Sequence, residues 1–170
     1  NTHSFFGLDH DNYIGSLVQN NNPHPDFTSF FILQRIEPQL KAARNKGAFS
    51  QGDTRYFDSL FRQLNNIIPP EKPSLVHGDL WSGNFMVTSE GSPCLVDPAV
   101  YYGHREADIA MSLLFGGFEP AFYEAYNQSW PMEKGWQKRM DIFNLYPLLV
   151  HVNLFGGGYA GQVLRIIRQF

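Results

Sequence analysis

His77-Gly78-Asp79-Leu80-Trp81-Ser82-Gly83-Asn84, with Asp97 thirteen residues beyond its Asn, is the stretch on which the fold turns. Short apolar runs surround it: Leu75-Val76-His77 before, then Asn84-Phe85-Met86-Val87 and Cys94-Leu95-Val96-Asp97, the last two separated by Ser89-Glu90-Gly91-Ser92-Pro93. Runs this short with turn chemistry between them predict a β-hairpin preceded by a strand or turn. Such a hairpin brings the Asp79 loop and Asp97 together.

Outward from this centre the period becomes helical. Upstream, Asn20-Asn21-Asn22-Pro23-His24-Pro25 is turn chemistry, and Asp26 stands where a helix cap accepts the first free amide protons. Phe27, Phe30, Phe31, Leu33, Gln34 and residues 36–40 follow with mostly helical spacing. Pro38 predicts a kink or break, and Lys46-Gly47 a close. Asp53 or Thr54 is expected to cap a second helix with Phe57, Leu60, Phe61, Leu64 and Ile67 or Ile68 on one face, ended by Pro69-Pro70. Downstream, helical spacing runs through Ile109, Ala110, Leu113 and Leu114, then 119–128, then 136–155, with a short last helix from Gly161. Gly116-Gly117 and Gly156-Gly157-Gly158 punctuate it. The predicted fold class is α+β, mostly helical, with one small β-hairpin near the middle.

Composition excludes several classes of function. Phe, Tyr and Trp make up 15% of the 170 residues and charged residues only 17%, against roughly 25% in ordinary soluble domains, so burial can offset ordering entropy and disorder is excluded. Thirteen Lys and Arg against 16 Asp and Glu give a net charge of −3, which offers no basic face to nucleic acid. Cys94 is the one cysteine, so an internal disulfide is excluded and a reducing cytoplasm is the expected location. No apolar stretch reaches the roughly 18 residues of a membrane span, and residues 1–6 lack the basic start of a signal peptide. The chain opens on Asn1 with Phe5-Phe6-Gly7 close behind, not on Met, as a segment of a longer protein would.

An Asp, an Asn five residues on, a hairpin and a second Asp form the layout of a phosphotransferase catalytic loop. In that template the loop Asp, here Asp79, receives or orients the proton of the acceptor hydroxyl. Asn84 then holds one Mg²⁺, and Asp97 the Mg²⁺ that bridges the nucleotide phosphates. Mg²⁺ prefers oxygen ligands and keeps several waters, so one carboxylate and one amide oxygen suffice when phosphates supply others. Singly, each motif has a plain structural explanation, His-Gly-Asp as a turn and Asp97-Pro98 as a strand end. In this order, followed by Asp108 at a helix start where an acid can brace the loop backbone, they favour the kinase-like reading.

The same residues resemble the fructosamine (ketosamine) kinase family. His77 to Asn84 carries the resemblance, with Asp97-Pro-Ala-Val-Tyr-Tyr-Gly-His-Arg-Glu-Ala-Asp-Ile-Ala110, Phe115-Gly-Gly-Phe118, Asn12-x-Ile14-Gly15, Gln19 and Arg35-Ile36. The His-Gly-Asp loop is shared with aminoglycoside, choline and homoserine phosphotransferases. Leu80-Trp81 and Tyr102-Gly103-His104 select the fructosamine kinases. The resemblance implies that residues 1–170 are the C-terminal lobe of a protein-kinase-like, aminoglycoside-phosphotransferase-like fold. It further implies ATP-dependent phosphorylation of a sugar hydroxyl on a ketosamine, a glycated amine or lysine, as a deglycation and protein-repair step using ATP and Mg²⁺. By the same resemblance Asp79 is the proton acceptor, Asn84 and Asp97 are the metal ligands, and His77 and Asp108 support the loop. Trp81 either stacks on the sugar or plugs the core beneath the loop.

A kinase-like enzyme also needs strands with a Gly-rich cover over the phosphates and a strand Lys paired to a helix Glu. Residues 1–76 have no place for them. The nucleotide-clamping lobe, with most nucleotide-binding residues, is therefore expected to be absent from this chain. The isolated 170 residues are expected to be inactive and, with an apolar face uncovered, to self-associate. An aminoglycoside- or choline-type phosphotransferase and a non-catalytic kinase-like binding module stay open as alternatives. His104 and His151 lack zinc-site spacing and are expected to pack. His151 and Asn153 either face the cleft or are hydrogen-bonded in the core. Phe115, Phe118, Phe122, Tyr123 and Tyr126 read as a core stripe, and Cys94 has no basic neighbour to make it reactive.

Overall fold

Residues 3–170 are described by a computed structural model; Asn1 and Thr2, which open the sequence, lie outside them. Asp26 caps the first helix, α1 (Phe27–Phe30), its carboxylate accepting from the Ser29 amide at 2.8 Å. The helix continues through a π-helical segment, Phe31–Ile36, into α2 (Glu37–Asn45). Of the kink or break expected at Pro38, the break does not occur: the helix is locally widened ahead of Pro38 and continues. Proline lacks an amide proton and its ring crowds the carbonyl four residues back. The wider turn, in which the Glu37 amide reaches the Ile32 carbonyl, accommodates both before Pro38 enters the first turn of α2. At the other end Gly47, at φ +77, permits paired bonds from its own amide to Arg44 (2.9 Å) and from the Ala48 amide to Ala43 (3.0 Å).

Helix α3 (Gln51–Ile67) is capped by Ser50 rather than by Asp53 or Thr54. Asp53 is the reciprocal partner of the cap: its carboxylate accepts from the Ser50 amide at 2.9 Å while the Ser50 hydroxyl accepts from the Asp53 amide. An acid three residues inside a helix and an acid at its start look alike in sequence, and the serine decides between them. The remaining helices are α4 (Glu106–Leu114), α5 (Pro120–Ser129), α6 (Trp136–Phe143), α7 (Leu145–Phe155) and α8 (Tyr159–Ile167). The expected single helix over 136–155 divides at Asn144, because Pro147 has no amide for the Phe143 carbonyl. The last helix starts at Tyr159, ahead of Gly161. Apolar α7 packs against α2, α6 and α8, and α4 against α6, making the core.

Among the described residues, three two-stranded antiparallel sheets replace the single hairpin that was expected. The predicted hairpin is present as β4 (Phe85–Val87) and β5 (Pro93–Leu95). A second, β1 (Asn12–Ile14) with β2 (Leu17–Gln19), turns at Gly15-Ser16 and is too short for alternation to announce it. The strand before the catalytic-type loop, β3 (Ser74–Val76), pairs with β6 (Tyr101–Gly103), not with the hairpin beside it in sequence. That ladder closes at Val76 and Tyr101, so residues 77–100 form one excursion, held at both ends, that carries the loop, the hairpin and Asp97.

Buried ion pairs fix the start of α4. Arg139 on α6 binds Glu106 through two nitrogens, its Nε reaching Oε2 at 2.7 Å, and Arg105 joins Glu71 at 2.6 Å and the Trp130 and Pro131 carbonyls. Buried His104 packs here, its ring bonded to the Pro69 carbonyl at 3.2 Å and its pKa pushed down by burial.

Candidate active site

The loop after β3 is held from below by one carboxylate. Asp108, in the first turn of α4, accepts from the His77 amide at 2.7 Å and from the Gly78 amide at 2.9 Å. Burial pushes its carboxyl above the ordinary range, and those two bonds oppose the rise. The His77 ring faces the Val96 carbonyl with Nε2 (3.1 Å) and the Asp79 amide with Nδ1 (3.3 Å), a pairing that assigns the proton to Nε2. The Ala99 amide donates to the His77 carbonyl at 2.9 Å. Gly78, at φ +80, lies so close beneath Ala99 that a β-carbon there would stand 2.1 Å from the Ala99 oxygen. The loop and the segment after Asp97 are therefore in backbone contact.

Asp79, Asn84 and Asp97 converge above this contact. Buried Asn84 spends its side-chain amide on the Asp79 carbonyl (2.9 Å) and the Asp79 carboxylate (3.0 Å), which turns its Oδ1 away from Asp79. Its own carbonyl accepts from the Val96 amide at 3.0 Å, setting the Ser82–Asn84 turn beside the residue that precedes Asp97. Asp97 is exposed and, among the described residues, is the one non-glycine with positive φ, +54. A left-handed backbone at a residue with a side chain is strained and concentrates at functional sites. Burial pushes the Asp79 carboxyl above its ordinary value and the Asp97 charge adds to the rise, while the Asn84 amide and the His77 and His151 rings oppose it.

Asp79 opens into a cavity of about 340 Å³ lined by aromatic and aliphatic side chains. Trp81 lines it, with its ring lying over Gly83 of the same loop, where a β-carbon would come within 2.3 Å. Tyr146 and His151 on α7, Phe115 after α4 and Tyr159 on α8 also line it, with Ile14 at the end of β1, Gly15 of the β1–β2 turn and aliphatic side chains such as Met111 and Val150. The His151 ring bonds the Pro147 carbonyl through Nδ1 at 2.8 Å and packs on Phe115 and Tyr159. His151 thus takes the cleft position while Asn153 is buried against Gln39. Phe115 lines the cavity rather than the core. Sequence reading missed Ile14, Gly15, Tyr146 and Tyr159; the visible signal was a histidine four residues after a proline in an otherwise apolar helix, since both project from one face. Beside the site, Phe85, Met86, Val87 and Leu95 of the hairpin are all exposed, with Phe118 set edge-on to Phe85.

A braced loop carrying Asp and Asn, a hairpin and a second Asp, mounted on a mostly helical body, have the layout of the catalytic loop of kinase-like phosphotransferases. The profile of the fructosamine kinase family matches residues 1–170, and the chain belongs to that family. A protein of Enterococcus faecium named "probable ketoamine kinase" is 46% identical over 97% of this chain and 60% of its own length. The protein-ribulosamine 3-kinase of Arabidopsis thaliana is 39% identical over 97% of this chain and 51% of its own. A crystal structure assigned as a fructosamine-3-kinase, from Thermobifida fusca, superposes with a TM-score of 0.91 at 39% identity, covering 98% of this chain and 58% of the other. The chain therefore spans about three fifths of the length of the first of these relatives. No helix among the described residues is long and apolar enough to cross a membrane.

Proposed function

We propose that this chain carries the acceptor- and metal-binding half of an ATP-dependent kinase that phosphorylates a sugar hydroxyl of ketosamines, glycated amines or lysines. The observation that supports this best is Asp79 itself: its carboxylate faces an aromatic cavity from a doubly braced loop, bonded to Asn84 and next to Asp97. Asp79 takes the hydroxyl proton as that oxygen attacks the γ-phosphorus and the bond to the ADP oxygen breaks. Trp81 and His151 offer flat faces to the apolar side of the sugar, and the aromatic wall favours a cationic amine beside it. His77 and Asp108 hold the loop without touching the reactants.

The donor chemistry fits Mg²⁺. Asn84 and Asp97 offer an amide oxygen and a carboxylate, which would hold a Mg²⁺ whose remaining ligands come from water and phosphate. When bound, it would neutralise charge on the phosphates. The direct test is a panel of acceptors given to the intact gene product with ATP and Mg²⁺: a glycated lysine peptide, an aminoglycoside and choline. Phosphate is expected on the ketosamine sugar alone, located by mass spectrometry. Transfer to the aminoglycoside or choline instead would change the acceptor class, and no transfer at all would favour a binding module.

Asp97→Ala is expected to weaken Mg²⁺-dependent nucleotide binding by at least about 10-fold while leaving ketosamine binding nearly unchanged, because the carboxylate faces the ion and not the sugar. Calorimetry of the two ligands separates the cases. Equal losses would argue against the metal role.

A further inference from the structure

β1 and β2 reach the site through side-chain amides. Gln19, 1% exposed, donates to Asn12 Oδ1 at 2.8 Å and to the Ala99 carbonyl at 3.1 Å, and its Oε1 accepts from the Tyr146 hydroxyl at 2.8 Å. Asn12 donates to the Val100 carbonyl at 2.8 Å, and its Oδ1 also receives the Asn21 amide at 2.9 Å. Asn21, as buried as Gln19, accepts from Arg35 at 2.7 Å, and that guanidinium lies over the rings of Phe30 and Tyr101 at 4.4 and 4.1 Å. One polar network thus runs from the first helix through the hairpin to Ala99 and Val100.

Buried amides with every donor and acceptor engaged hold their partners in one arrangement. What they hold here is the backbone that follows Asp97. Pro98 has a fixed φ. Ala99 is restrained on three sides: its amide bonds His77, its carbonyl receives Gln19, and the Gly78 α-carbon presses against that carbonyl. A left-handed aspartate persists only where its surroundings over-determine it. Asp97 is exposed, so the determination comes through its neighbours along the chain.

We infer that Gln19 and Asn12 are positioning residues for the reaction: the β1–β2 hairpin clamps Ala99 and Val100 and thereby sets the Asp97 carboxylate against Asn84 and Asp79. The inference rests on the metal role given to Asn84 and Asp97 under the proposed function. Mn²⁺ is the probe, titrated as its complex with a non-hydrolysable ATP analogue into the intact gene product while paramagnetic broadening of the Asn84 and Asp97 amide signals is followed by NMR. Gln19→Met keeps the volume and removes the bonds. It is expected to raise the half-broadening concentration by about 10-fold, while a core variant of comparable thermal stability, Leu60→Val in α3, stays within about twofold.

Unchanged Mn²⁺ affinity in Gln19→Met, or an equal loss in Leu60→Val, would overturn the clamp. Should Gln19→Met not fold, Asn12→Ala removes the strut to Val100 from a half-buried position, and unchanged affinity there overturns the inference equally. Absence of localised broadening in the unaltered chain overturns the metal role and the clamp together, which separates that failure from a failure of the clamp alone.

Discussion

Asp79→Asn should lower ketosamine phosphorylation by the intact gene product about 10²- to 10⁴-fold, the usual loss when a general base is removed, and should at the same time make the protein more stable near neutral pH. Both halves follow from one environment. The amide keeps the shape of the carboxylate and can still accept from Asn84, but it cannot take a hydroxyl proton. Burial and the Asp97 charge raise the Asp79 pKa above its ordinary 3.8, so the folded protein binds that proton more tightly than the unfolded chain. Ionising Asp79 therefore opposes folding. The opposition is absent below the ordinary carboxylate range and complete once the pH exceeds the raised value. Thermal melts in metal-free buffer should show Asp79→Asn melting above the unaltered protein at pH 7, with the gain vanishing as the pH falls toward 3.8. Activity within a few-fold of the unaltered protein would remove Asp79 from the role of base.

Gly78→Ala should be the most damaging single methyl in the chain. Its backbone lies in the left-handed region at φ +80, which costs an alanine about 1–2 kcal/mol, and the new β-carbon would meet the Ala99 oxygen at 2.1 Å. Backbone must move. The carbonyl that moves receives Gln19, and the same residue's amide holds His77, so the loop and the Asp97 segment separate together. Gly91 supplies the control, because it has the same φ of +80 and a β-carbon added there would have no atom within 4 Å. At about 2–4 °C per kcal/mol for a protein of this size, Gly91→Ala should lower the melting temperature by about 2–8 °C and Gly78→Ala by well over about 10 °C, with loss of phosphorylation. Equal shifts in the two variants would show that the contact with Ala99 is not rigid.

Part of the site was legible because its chemistry is local. His77 to Asn84 is a single loop, and an Asp and an Asn five residues apart, with Gly78 and Gly83 beside them, mark it as a candidate catalytic loop by type and order. The hairpin that follows is announced by two short apolar runs around Ser89-Glu90-Gly91-Ser92. The helix ends were legible to within a few residues, and the misplacements share a cause. Pro38, where a kink or a break was expected, distorts a helix without ending it, Pro147 ends one where continuity was expected, and Asp53 serves a cap three residues earlier. In each case a residue with two allowed roles received its role from packing or from a partner.

The cavity wall was not legible, because it is assembled from separate elements. Ile14, Trp81, Phe115, Tyr146, His151 and Tyr159 come from a hairpin turn, the loop, a helix end and two helices, and an aromatic on a helix reads the same whether its ring meets the core or a cleft. The exposed Phe85, Met86, Val87 and Leu95 likewise fit a strand pattern that says nothing about which face is covered.

The sequence by itself therefore determined the family, the mostly helical α+β composition and the order of Asp79, Asn84, Asp97 and Asp108, because these depend on residue type and on neighbours a few positions away. Only the tertiary structure decided that β3 pairs with β6, that Gly78 rests on Ala99, and that Gln19 and Asn12 grip the backbone beyond Asp97. Those contacts join residues 21 to 88 positions apart, and no local preference encodes them. They form when burying the helical core brings the hairpin, the loop and α7 to one place, where each polar group must find a partner inside the protein.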